Sequence, residues 1–125
     1  MELKFTVWQF VRIMVWLEEA GRDKKAKSAY EAWSETWKDI DEQLTRLAEE
    51  DHDAYSEMMM DREVVFENVA KEQATEVLRA LEAVTLSMKS EIDKGEADPD
   101  YLESIRLERR ELRGKSSKLK KALAK

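Results

Sequence analysis

His52 is the only histidine in the chain, and it lies among Glu49, Glu50, Asp51 and Asp53. An imidazole beside carboxylates offers the donors of a transition-metal site. The same residues equally make a solvated acidic turn, and that is the expectation here. A di-metal centre in a helical bundle needs Glu-x-x-His pairs projecting inward from two helices, whereas Glu49-x-x-His52 is the single pair of that kind. Helical nucleotide pyrophosphohydrolases carry an E-x-x-E pair followed on the next helix by E-x-x-D. In this chain Glu108/Glu111 stands near the end with no acid after it, and Glu50/Asp53 comes much earlier, so order and placement both fail. The absence of cysteine removes thiolate nucleophiles, thiolate ligands and disulfides. Neither a glycine-rich phosphate loop nor a serine in a G-x-S-x-G context is present. The expectation is a protein that is not an enzyme and needs no cofactor or metal.

Residues suited to binding are better represented. On a helical wheel Trp16 falls within a polar stripe defined by Gln9, Arg12 and Glu19, where Arg12 could stack on its face. An aromatic ringed by polar groups has the composition of an interface hot spot, unless a neighbouring helix of the same chain covers it. Met58, Met59 and Met60 suit either an adaptable surface or, more simply, the core. The C-terminal segment collects Arg106, Arg109, Arg110, Arg113, Lys115, Lys118, Lys120, Lys121 and Lys125. Candidate partner-binding residues are therefore Trp16, Arg12, Arg109, Arg110, Arg113, Lys118, Lys120 and Lys121.

The elements that must position these residues read as helices. Thr6 and Gln9 form a capping-box pattern, Phe5 can staple onto Phe10, and Gly21 suits a left-handed helix end. Within this first helix Val7, Phe10, Val11, Met14, Val15 and Leu17 cover a wide arc, with Trp8 at its margin. A second helix begins at Asp23 or Ser28. In it Tyr30, Trp33, Trp37, Ile40, Leu44 and Leu47 step by three and four, a 3.5-residue period. Residues 22–94 contain neither Gly nor Pro, but one helix of that length would span on the order of 110 Å. Asp51, Asp53 and Ser56 are capable N-caps, so a break is predicted near 51–55. A third helix then runs to about Lys94, through Phe66, Val69 or Ala70, Gln73, Val77, Leu81, Val84, Met88 and Ile92, and Gly95 closes it. Asp98-Pro99 starts a fourth, with Leu102, Ile105, Leu112, Leu119 and Leu123 in a thin seam that Gly114 interrupts at about 1 kcal/mol relative to Ala. No strand alternation is expected.

Apolar residues make up 42% and charged residues 40% of the 125, with one Pro, three Gly and four Trp, a composition of long packed helices rather than of disorder. The most apolar stretch, Phe5–Leu17, contains Gln9 and Arg12 and is shorter than the about 20 residues a bilayer span needs. No membrane partner and a cytoplasmic setting are expected. Charge is unevenly spread: the net is −6, yet residues 23–98 carry 21 acids against 10 bases, and residues 99–125 four acids against nine bases.

Together these features predict an all-α four-helix bundle with coiled-coil-like packing. The second and third helices form a long antiparallel hairpin. Residues 1–113 make the bundle, and 114–125 a basic helical extension or tail. The expected function is that of a small oligomeric adaptor, assembly factor or inhibitor with a protein partner, self-associating as a homo-oligomer. The alternatives are a nucleic-acid accessory subunit using the basic segment, or an acidic mimic that blocks a nucleic-acid-binding protein.

Overall fold

A computed structural model describes residues 1–125. The chain is predominantly helical, with six helices and one short two-stranded sheet: β1 (Leu3–Thr6), α1 (Val7–Glu19), α2 (Lys24–Ala32), α3 (Ser34–Glu50), α4 (His52–Asp61), β2 (Glu63–Phe66), α5 (Lys71–Lys94) and α6 (Pro99–Leu123).

The sheet corrects the expectation of a strand-free chain. Leu3 pairs antiparallel with Phe66, and Phe5 with Val64. Leu3, Phe5, Val64 and Phe66 all point inward, a period-2 pattern only two apolar residues long on each strand. The ribbon is extended by Val7 N–H donating to Arg62 O at 3.0 Å and Val69 N–H to Met1 O at 2.8 Å. β2 also divides what reads in sequence as one continuous third helix. Helix α4 ends before it, and α5 restarts after Asn68, a non-glycine residue at φ 55°. The long helical pair is consequently α5 with α6, joined through Gly95 at φ 61° and capped at Asp98-Pro99 as the sequence indicates.

The second predicted helix is likewise two. Asp23 caps α2 by accepting from Lys25 N–H at 2.9 Å, and the chain bends at Trp33 before α3. Trp33 is buried with its ring 4.9 Å from Phe66, so the packing of one aromatic interrupts a run that by spacing alone could continue. Asp51 caps α4 by accepting from Ala54 N–H at 3.1 Å, within the predicted break.

Helix α1 runs through the centre and touches α2, α3, α4, α5 and both strands. Its capping box is formed: Gln9 N–H donates to Thr6 Oγ1 at 3.2 Å, and Thr6 N–H donates to Gln9 Oε1 at 3.0 Å. Val7, Phe10, Ile13, Met14 and Leu17 are buried, and Phe10 packs against Trp37 and Phe66 at 6.1 and 5.3 Å between ring centres. Full burial of each such side chain is worth about 1.5–3 kcal/mol. The wheel is wrong at two places, since Val15 is exposed and Gln9 is 0% exposed, and it leaves out Ile13, which belongs to the core. Gly21 is not left-handed. A Cβ there would lie 3.0 Å from the Glu18 carbonyl oxygen, and that close approach is what favours glycine. Helix α6 passes through Gly114 unbroken, and Leu119 beyond it is buried in the common core.

Candidate interaction surfaces

Trp16 lies on α1 facing α5 and is half-buried against the core. The Arg79 guanidinium sits 5.9 Å above its ring. Arg79 is itself held by Asp23 and by Glu76, each at 3.1 Å, and the Glu76 side chain is only 3% exposed. The Lys25 amide and then Arg79 hold the Asp23 carboxyl below its ordinary range. Arg12 does not stack on Trp16. It lies 4.6 Å over Trp8 instead, because helical side chains lean toward the N-terminus and Trp8 is the aromatic one turn back.

A polar cluster that sequence reasoning missed joins α6 to the β1–α1 junction. Lys115 Nζ donates to Gln9 Oε1 at 2.6 Å and to the Lys4 carbonyl at 3.0 Å, with Glu111 at 3.7 Å. Burial lowers the Lys115 pKa, while the carboxylates around it pull the other way. Glu108 lies beside the same group, and burial, then the neighbouring Glu111, pushes its carboxyl up. Gln9 Nε2 and Glu108 Oε2 are both buried without a hydrogen bond of good geometry. Glu108, Glu111 and Lys115 share a helix face by spacing, but the partial burial of Glu108 and Lys115 depends on the β1–α1 junction, which the sequence does not announce, while Glu111 stays exposed. The Glu108/Glu111 pair therefore works as part of a packed junction between elements.

The acidic region around His52 is open. His52 begins α4 and meets only the edge of Tyr55, at 6.5 Å between rings. Three or more His, Asp or Glu side chains converge nowhere closely enough to hold a metal ion.

Two grooves stand out. The first lies between α1, α3 and α4 and encloses about 390 Å³. Val11, Trp37, Leu44, Ala48, Tyr55 and Met59 form its apolar lining, and Asp41 and Glu49 stand at its rim. Residues 34–61 contain ten acids and two bases, and none of those acids forms an ion pair. Within the methionine run, Met58 is buried, Met59 lines this groove, and Met60 is exposed. The second groove lies between α5 and α6, encloses about 580 Å³, and is lined by Lys89, Arg106, Arg109, Arg110 and Arg113, with Asp93 as its only acid. Arg109 Nε donates to the Thr85 carbonyl at 3.2 Å. Lys118 instead borders a smaller hollow of about 230 Å³ against β1, and Lys120 and Lys121 are exposed farther along α6. The structure thus brings Arg109, Arg110 and Arg113 together and leaves Trp16 and Arg12 apart from them. Comparison with protein families, curated proteins and solved structures finds no match to this chain.

Proposed function

We propose that the protein is a non-catalytic protein-binding module, and that its principal docking surface is the groove between α1, α3 and α4. The observation that carries this reading is an apolar floor left open inside an acidic rim whose carboxylates have no partner within the chain. An amphipathic helix lays its apolar face into such a groove. A complementary occupant has basic residues flanking an apolar stripe, since charge of opposite sign steers and registers the encounter. This reading moves the anchor from Trp16, which Arg79 covers, to Trp37, Tyr55 and Met59. The test is site-specific photo-crosslinking in cells from position 59, with position 120 as control. The expected result is one protein crosslinked from 59 and lost when the exposed groove residue Ala48 is replaced by Glu. Equal labelling from both positions, or labelling that depends on nucleic acid, would contradict it.

A second reading rests on the uneven charge. Helix α6 carries eight bases against four acids, opposite in sign to α3 and α4. Self-association of two copies through these faces, supported by the long α5–α6 pair, would give the homo-oligomer expected from the sequence. Light scattering at micromolar concentration decides it: a dimer that dissociates with salt supports it, and a 14.7 kDa monomer at low salt excludes it.

A further inference from the structure

The geometry points to a binding site for a compact polyphosphate in the groove between α5 and α6, the ligand chemistry being a linear triphosphate, free or carried by a nucleotide. Lys89, Arg106, Arg109, Arg110 and Arg113 surround this groove and Asp93 alone opposes them. Only Arg106 has an ion pair, to Glu103 at 3.4 Å. The other four cations are uncompensated.

A solvated helix face usually intersperses both signs. Here Arg106, Arg109, Arg110 and Arg113 sit three and four residues apart, the spacings at which like charges on a helix repel. A dense anion in the groove would relieve that repulsion. Arg109 is further prepared for one. Its Nε is engaged by the Thr85 carbonyl, which fixes the guanidinium plane and leaves the terminal nitrogens free of any protein partner. Arginine forks match phosphate oxygens in pairs, a geometry lysine cannot offer.

Gly114 supplies an independent observation. It lies inside α6 and lines the groove, yet a Cβ there would meet nothing within 4 Å. Packing does not require glycine at this position. Glycine does allow a ligand to approach the helix backbone closely.

The size and setting favour a compact ligand over a nucleic-acid strand. The volume of about 580 Å³ falls within the range of small-molecule sites. No aromatic residue lines the groove to stack a base. A long polyanion would also extend over a molecule of net charge −6.

The test is calorimetric titration of the full chain with sodium tripolyphosphate, with ATP, and with a single-stranded oligonucleotide, at 50 and 200 mM salt. The expected result is one-to-one binding of tripolyphosphate and ATP that compete with each other and weaken with salt. Comparable affinities assign recognition to the phosphate chain alone, whereas tighter ATP binding assigns the source as a nucleotide. Arg110→Gln with Arg113→Gln should weaken both by about tenfold or more, since each removes a charge-assisted contact. Both residues are exposed, so an unchanged melting temperature shows the fold intact. Gly114→Ala should raise the melting temperature while lowering affinity, a divergence that a purely structural role would not give. No saturable binding of either phosphate, binding indifferent to the double substitution, or an oligonucleotide bound about tenfold more tightly than tripolyphosphate would overturn the proposal.

Discussion

Between α1, α3 and α4 the surface is apolar at its floor and acidic at its rim, whereas between α5 and α6 it is mainly cationic, with Asp93 its only acid and Ile92 its only apolar side chain. The first groove is a by-product of core packing. Trp37, which lines it, also contacts Phe10, and Leu44 is itself buried. The second is built from side chains that contribute little to the core, on a frame made by Val84, Met88, Ile105 and Leu112. The difference separates two kinds of recognition. Affinity in the apolar groove would come from desolvation and tolerate salt, while affinity in the cationic groove would come from charge and fade with salt.

Substitutions can break this contrast in order of expected size. Phe10→Ala should be the most damaging, at about 3–5 kcal/mol in denaturant unfolding, because it empties the joint between Trp37 and Phe66 that supports the apolar groove. Arg79→Ala comes next. It strips the ion pair from Glu76, whose side chain is 3% exposed, and uncovers Trp16. A loss of roughly 2 kcal/mol is expected, below the cost of breaking a fully buried pair because Arg79 is half-exposed.

Glu108→Gln should act in the opposite direction and only over part of the pH range. Burial and Glu111 raise the Glu108 pKa above 4.5, so the folded chain keeps a proton that the unfolded chain has lost. Stability therefore falls as pH rises from about 4.5 through the folded value. The Gln variant lacks this fall. Melting curves should coincide with the parent near pH 4 and lie above it at pH 7. The smallest effect is expected from Arg110→Gln with Arg113→Gln, within about 0.5 kcal/mol, since both are exposed and unpaired. A large loss from that pair would mean that the cationic groove is part of the core after all.

Local signals in the sequence carried much of the architecture. The Thr6–Gln9 capping box, the Asp51 break, Gly95 and Asp98-Pro99 are each decided by a few neighbouring residues, and each is formed. Non-local pairing was not legible. Leu-Lys-Phe-Thr and Glu-Val-Val-Phe are too short to show a period, and each becomes a strand only because the other lies beside it. The bend at Trp33 and the burial of Gln9 have the same origin, in Phe66 and Lys115 respectively, which approach from distant parts of the chain. For the surfaces, the arginine spacing on α6 was visible at once, but Lys89 across the groove was not. The apolar groove was least legible of all, because Val11, Trp37 and Met59 meet only after α1, α3 and α4 have packed.

Docking in the apolar groove can be read residue by residue by chemical-shift mapping. Isotope-labelled protein would be titrated with a helical leucine–lysine peptide, a minimal basic amphipathic partner. The expected shifts concentrate on Val11, Trp37, Leu44, Tyr55 and Met59, persist in moderate salt and are abolished by Met59→Glu. Shifts confined to other surfaces, or a titration that Met59→Glu leaves unchanged, would contradict it.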